Sequence, residues 1–348
     1  FAALAERPVQ GSVARSKQIH MNIAVLGGGS WATALVKILS EGDVKIKWWL
    51  RKSNDVEHIK KYHHNPHYLS NVKILPSKVK PYTSIKEAVK NTDWVIIAVP
   101  AAFVEDALHP LTPKILEGKK IVSAVKGMIP STNQLITDWV ENRFDIPQTD
   151  MCCIAGPCHA EEVALEKQSY LTIASPSLET AQSFADLMRC RYVHSSILTD
   201  LVGVEYAAVM KNIVAIACGI THGMGAGDNF QAVMVSNAMV EIKQFVSAIY
   251  PAERDMAASA YLGDLLVTAY SQFSRNRTFG NMIGRGYLVK TAQVEMKMIA
   301  EGYFAVQCIY EINKKWQVDM PITEFAYKVL YTNQSLEQSF AILKSKLR

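Results

Sequence analysis

Apolar residues follow two rhythms along this chain. Up to about residue 175 they come in short, nearly continuous runs. These are NIAVL at 22–26, DWVIIAVP at 93–100, KKIVSAVKG at 119–127, CCIAGP at 152–157 and YLTIAS at 170–175. VKIKWWLRK at 44–52 alternates instead. All six read as β-strands, the continuous ones buried on both faces. Between them lie helical patterns: Trp31, Leu35, Ile38 and Leu39 share one face, and SIKEAVKN at 84–91 opens with a capping box at Ser84 and Glu87.

After about residue 200 the second rhythm takes over. VGVEYAAVMKNIVAIACGI, FQAVMVSNAMVEIKQFVSAIY, TAQVEMKMIAEGYFAVQCIYEINKKW and ITEFAYKVLY all carry helical spacing, and strand candidates vanish. No Gly/Ser or Pro linker separates the halves. The pattern predicts an α/β domain over 21–200, built on a doubly wound, mostly parallel sheet, followed directly by an all-α domain over 201–348. Residues 1–20 lack periodicity and hold Arg7, Arg15, Lys17 and His20 against Glu6. They read as an extension, an expression remnant or a weak transit-like segment.

Composition narrows the function classes. A formal charge of +5 over 348 residues, with no dense Lys/Arg run, argues against nucleic-acid binding. The six cysteines form no C-x-x-C pair, and several sit in apolar runs. This favours free thiols in a reducing, cytoplasmic setting over a disulfide or zinc framework. No apolar run approaches a membrane span, because Pro100 and Lys211 break the runs nearest that length. His63, His64 and His67 invite a metal reading, but Pro66 breaks any helix that would align them and no acidic or thiol ligand is evident nearby. No metal is expected.

Gly27-Gly28-Gly29-Ser30-Trp31-Ala32 fits the G-x-G-x-x-A fingerprint, between a strand and a helix as the motif requires. Gly27 permits the turn, Gly29 admits a pyrophosphate to the backbone, and Ala32 allows close helix–strand packing. The first domain therefore reads as a Rossmann domain binding a nicotinamide dinucleotide through Gly27, Gly29, Ser30 and Trp31. The strand that follows ends at Arg51-Lys52 where NAD-specific sites carry a carboxylate. Those cations either pair with a 2′-phosphate or are solvated charges at a strand end. The reading leans to NADP, or dual use of NADP and NAD.

Other positions carry chemistry. Lys211 interrupts an apolar helix, so it either snorkels out or needs a partner or a depressed pKa. Asp264 and Thr268, four apart in GDLLVT, share a helix face, with Gly263 suggesting a helix start. Ser274-Arg275-Asn276-Arg277 offers a guanidinium fork and neutral donors suited to phosphate, unless it is an exposed basic turn. Lys126 follows a buried strand, where Rossmann ligands bind.

Taken together, GGGSWATAL, NPHYLSNVKILP, VSAVKGM, IAGPCHAEEVA, VGVEYAAVMKNIVAIACGITHGMGAGDN, LGDLLVTAYSQFSRNRTFG and AEGYFA, in this order, resemble the NAD(P)-dependent glycerol-3-phosphate dehydrogenase family from about residue 22 to about 341. The resemblance implies reversible NAD(P)H-dependent reduction of dihydroxyacetone phosphate to sn-glycerol 3-phosphate by a homodimer, feeding glycerophospholipid synthesis. It implies Lys211 as catalytic acid/base, with Lys126 and Asp264 in the catalytic set. It implies substrate contacts from Lys126, Gly156, Cys158, Lys211, Asp264, Thr268, Ser274, Arg275 and Asn276. Further cofactor contacts would come from Arg51, Lys52, Phe103, Lys126, Ala160, Arg275, Ile299 and Glu301.

The chain departs from the family pattern in three places. Cys158 stands where a serine is usual, Tyr261 sits in SAYLGDL where LAGLGDL is usual, and the usual basic residue near 235–237 is absent. These leave two rivals: another two-domain hydroxy-acid or keto-acid reductase, with Arg275 on a carboxylate, and a non-catalytic NADP(H) sensor.

Overall fold

The computed structural model describes residues 21–296, 300–332 and 334–348. The segment 1–20 and Ile299 lie outside the described residues. Eight strands form one sheet in the order β3-β2-β1-β4-β5-β6-β7-β8. They are β1 Met21–Leu26, β2 Val44–Trp49, β3 Val79–Tyr82, β4 Trp94–Ile97, β5 Lys120–Ser123, β6 Met151–Ala155, β7 Ser169–Ala174 and β8 Val193–Leu198. Every pairing is parallel except β6 with β7.

All six strand segments read from the sequence fall on strands. β3 and β8 are additional. β8 alternates buried and exposed positions, and β3 holds Pro81 at the sheet's edge, so neither shows a continuous apolar run. The alternation inside β1 shows why central strands read as unbroken runs. Ile23 and Val25 pack into one apolar cluster with the Ser30–Glu41 helix, while Ala24 and Leu26 pack into the other with the C-terminal helices. Both faces are covered, so each residue of the strand loses water.

The chain from Leu201 onward is helical. The Leu201–Gly223 helix is buried all round except near its ends, which is why its sequence shows no polar face. Three readings need correction. The pattern at 291–316 is not one helix: a helix ends at Glu295 and another starts at Glu301, with Ala300 extended as its cap. Gly263 does not start a helix, because a π-helical turn, Ser259–Gly263, runs straight into the Asp264–Tyr270 helix. Two helices, Leu201–Gly223 and Asp228–Ile249, are long and apolar enough by length and composition to cross a membrane, since one or two charges barely lower the average of so many apolar residues. Within the fold 94% of the first one's apolar window is buried, as in a core helix.

Candidate functional site

β1 and β4 leave the fold at its topological switch point, where their carboxyl ends open a crevice. The turn after β1 is built for close approach. Gly27 has φ +136°, and a Cβ there would collide with the Ala98 carbonyl. Trp48 fixes this turn from beneath, its indole N–H donating to Gly27 O at 2.6 Å. Asn65 of the NPHYL segment does the same for Gly28 O, at 3.0 Å.

Gly29 faces open space and caps the Ser30–Glu41 helix without any side-chain hydrogen bond. The helix therefore presents uncapped N–H groups and a partial positive charge to the crevice. Trp31 adds a buried indole N–H that has no protein partner. An open cradle, free amide donors and an orphan donor at a helix N-terminus fit a dinucleotide pyrophosphate.

The crevice widens into a cleft of about 920 Å³ between sheet and helices. Gly27, Gly29, Ser30, Trp31, Arg51, Lys52, Phe103, Ala160 and Glu301 all line it. Arg51 and Lys52 stand exposed at the end of β2. Asp55 also lines the cleft, one helical turn on from Lys52, and accepts from His67 Nε2 at 3.1 Å. The reading of the histidines without an acidic neighbour is thereby corrected. Asp55 is twelve residues away in sequence, and only the turn after the Ser53–Tyr62 helix brings His67 back to it. Among the described residues no group of three or more His, Cys, Asp or Glu could hold a metal.

At the far end of the cleft Lys126, Lys211, Asp264 and Thr268 converge from three elements. Asp264 is buried, and its carboxylate bridges both lysines. Lys211 Nζ donates to Oδ1 and to Thr268 Oγ1, the latter at 2.9 Å, and Lys126 Nζ lies 3.3 Å from Oδ2. Thr268 in turn donates to Asp264 O at 2.6 Å, the i to i+4 bond its spacing allows. The Gly156 N–H donates to Asp264 Oδ2 at 3.3 Å. Gly156 is not itself on the cleft wall: it holds φ +103° against the β7 backbone and turns its peptide groups to Asp264 and Lys126.

Burial pulls Lys211 down to about 7. Asp264 opposes that shift and Lys126 reinforces it. Lys126 moves the other way: burial lowers its pKa, but the Asp264 carboxylate outweighs it and holds the ammonium charged. Asp264 stays below the usual carboxylate range because two cations overcome its desolvation. The result is one ionised carboxylate, one fixed cation and one lysine poised to exchange a proton near neutrality.

The phosphate-type donors sit beside this group. Gly280 of the Arg275–Gly284 helix packs backbone against backbone on Ile216 of the Leu201–Gly223 helix, where any Cβ would collide. That crossing brings Ser274, Arg275 and Asn276 to the cleft. Arg275 reaches across to Ser30 Oγ at 2.7 Å, joining the dinucleotide turn to the inner end of the cleft. Ser274 caps its own helix by accepting from Arg277 N–H, which leaves its hydroxyl proton to give. Glu301 accepts from Ala101 N–H at 3.3 Å.

Cys158 lines the cleft near Lys126, and burial pushes its thiol up to about 12 against the pull of Lys126. Sequence reasoning missed Asn212, whose amide donates to Lys126 O at 2.7 Å. Its place beside Lys211 was the available signal. It also missed Tyr68, His159 and Phe273 on the cleft wall, which carry no spacing signal.

Comparisons with known proteins agree over nearly the whole chain. Residues 22–181 match the family described as NAD-dependent glycerol-3-phosphate dehydrogenase N-terminus, and residues 200–341 match its C-terminus counterpart. Glycerol-3-phosphate dehydrogenase [NAD(P)+] of Bacillus subtilis is 33% identical over 327 residues, covering 93% of this chain and 94% of its own. The Bacillus pumilus enzyme of the same name is also 33% identical, with 94% of each chain covered. A crystal structure of glycerol-3-phosphate dehydrogenase from Coxiella burnetii superposes with a TM-score of 0.88 at 27% identity, covering 94% of this chain and 99% of that one.

Proposed function

The chain belongs to the NAD-dependent glycerol-3-phosphate dehydrogenase family, and on that premise we propose which of its residues carry the reaction. It is an oxidoreductase that reduces dihydroxyacetone phosphate to sn-glycerol 3-phosphate, reversibly, with NADH or NADPH, and so serves lipid metabolism. The observation that carries the assignment of roles is the buried carboxylate of Asp264 held between Lys126 and Lys211 at the end of a dinucleotide-shaped cleft.

When bound, the dinucleotide supplies the hydride. Gly27, Gly29, Ser30 and Trp31 hold its pyrophosphate, and Phe103, Ala160 and Glu301 line the path of its remaining length. Ser274, Arg275 and Asn276 grip the substrate phosphate, so that the carbonyl lies at the lysines. Lys211 Nζ gives its proton to the carbonyl oxygen in reduction and takes it back in oxidation. Lys126 remains charged and offsets the negative charge that develops on that oxygen. Asp264 and Thr268 hold Lys211 in place. The division of labour largely follows the chain: 21–200 supplies most of the cofactor site and 201–348 most of the substrate site, with Lys126 and Cys158 reaching the substrate from the first part and Glu301 reaching the cofactor from the second.

We place the enzyme in a reducing cytoplasmic compartment, which its six free cysteines support. A homodimer is supported by the half-covered Asp228–Ile249 helix, where Val233 and Val240 remain exposed.

The test is initial rates of NADH and NADPH oxidation with dihydroxyacetone phosphate, with pyruvate and 2-ketopantoate as controls. Oxidation confined to dihydroxyacetone phosphate supports these roles, and turnover of the keto acids alone overturns them. The same assay reads cofactor choice. Replacing Arg51 and Lys52 together with alanine should lower kcat/KM for NADPH by about tenfold and leave NADH nearly unchanged, since an exposed charged hydrogen bond to phosphate is worth about 1.4 kcal/mol. Equal losses for both cofactors would mean that neither side chain reads the 2′-phosphate. Cys158→Ser exchanges a weak donor for a hydroxyl in the substrate end of the cleft. It should lower KM for dihydroxyacetone phosphate by roughly two- to tenfold, as one neutral hydrogen bond contributes.

A further inference from the structure

Tyr261 departs from the family pattern three residues before Asp264, yet it does not line the cleft. Its ring is buried and its hydroxyl donates to Asp200 Oδ2 at 2.6 Å. Asp200 is a junction. Its Oδ1 caps the Leu201–Gly223 helix by accepting Gly203 N–H at 3.0 Å. Arg254 grips it with both Nε and Nη2, the latter 3.1 Å from Oδ1. Arg254 also donates to Tyr250 O at 2.8 Å, fixing the chain that leads into the π-helical turn. Gly203 makes room for the cluster, because a Cβ there would collide with both Asp200 Oδ2 and Arg254 Nε.

One carboxylate thus ties together the start of the helix that carries Lys211 and the π-helical turn that leads into Asp264. Lys211 lies eleven residues beyond Asp200 on that helix, about three turns, so both project from the same side roughly 16 Å apart along the axis. Asp264 lies three residues beyond Tyr261, across a π turn whose wider winding has no rigid α-helical spacing of its own. The relative height of the two elements, and with it the Lys211–Asp264 contact, is therefore set where they are clamped.

We propose that Tyr261, through its hydroxyl on Asp200, is a positioning residue that holds the Asp264 carboxylate against Lys211. This rests on Lys211 being the acid/base. The groups that act on Lys211 are Asp264, Lys126, Cys158, His159 and Glu301; of these Asp264 is the one that favours its ammonium most, and Lys126 opposes it. Loosening Asp264 leaves the ammonium less supported, so it loses its proton at lower pH.

The experiment compares the full-length enzyme with Tyr261→Phe, Asp200→Asn and Lys211→Ala, measuring kcat, KM and the pH profile of dihydroxyacetone phosphate reduction together with NADPH affinity. Tyr261→Phe and Asp200→Asn should lower kcat roughly three- to tenfold, below the hundredfold that a misplacement of ~1 Å can cost. They should also move the alkaline limb of the profile to lower pH, with NADPH affinity unchanged. If Lys211→Ala is inactive but both other variants keep the parent kcat and pH limb, whatever their thermal stability, the positioning role is overturned. If Lys211→Ala stays active, the acid/base assignment itself fails and the inference goes with it.

Discussion

Lys211→Ala is expected to lower kcat by about 10²–10⁴-fold while NADPH still binds with near-parent affinity, because it removes the only buried amine poised near neutrality in the cleft, among the described residues. The glycine turn proposed to bind the cofactor lies in a different element and loses no contact. The pH dependence separates this role from simple positioning. Reduction needs the ammonium, so its rate should fall as pH rises through about 7; oxidation needs the free amine, so its rate should fall as pH drops through the same value. Opposed limbs in the two directions, both absent in Lys211→Ala, would establish Lys211 as the group. Parallel limbs in both directions would assign the titration elsewhere. Fluorescence titration of NADPH with the variant checks that the cofactor site survives.

Asp264→Ala is expected to damage both activity and stability. Two lysines would lose the carboxylate between them, and breaking a buried ion pair by removing one partner costs about 3–5 kcal/mol. Asp264 supports the Lys211 ammonium, so without it Lys211 titrates below 7 and is neutral at physiological pH, unable to donate in reduction. The stability loss should itself depend on pH. Lys126, which Asp264 keeps charged in the parent, would become an unpartnered buried lysine that destabilises the fold wherever it is charged in the unfolded chain, below about 10.4, whereas Lys211, already lowered in the parent, widens the gap only below about 7. The gap between parent and variant should therefore narrow as pH rises toward that value. Asp264's own contribution is present above the ordinary carboxylate range and lost on acidification through its lowered pKa. Denaturant melts at several pH values would show this; a gap that is constant up to pH 10 would mean that the lysines are not the source of the cost. Asp264→Asn, which keeps the shape, should recover part of the stability but not the reductive rate.

A residue the mechanism does not use shows how the two halves are joined. Glu205 on the Leu201–Gly223 helix is buried, accepts from Ser123 Oγ of β5 at 3.1 Å and from Thr137 Oγ1, and is raised by burial to about 7. Ser123 lies three residues before Lys126 and Glu205 six before Lys211. The bond therefore anchors the strand and helix that bring the two lysines to Asp264.

Local chemistry determined much of this protein without any structure. Strand runs read correctly because, in a sheet covered on both faces, nearly every residue of a central strand loses water, and a polar exception such as Ser123 needs a buried partner. The tight turn that the glycine fingerprint predicts is there because only glycine tolerates φ +136° beneath a carbonyl wall, as at Gly27. Lys211 stood out because a cation inside an apolar helix must find a partner. What the sequence could not decide was which partner. Asp264 lies 53 residues away, and a one-dimensional pattern carries no information on which helix faces meet. The structure also shows what periodicity did not: a helix that ends at Glu295 before another starts at Glu301, and a π-helical turn, Ser259–Gly263, ahead of Asp264. Tertiary packing turned Tyr261 from a departure beside the substrate into a clamp on Asp200, and brought His67 to Asp55. Spacing fixes what lies on one face of one element, while proximity between elements depends on the backbone-to-backbone fit, as at Gly280 on Ile216, that only the folded chain possesses.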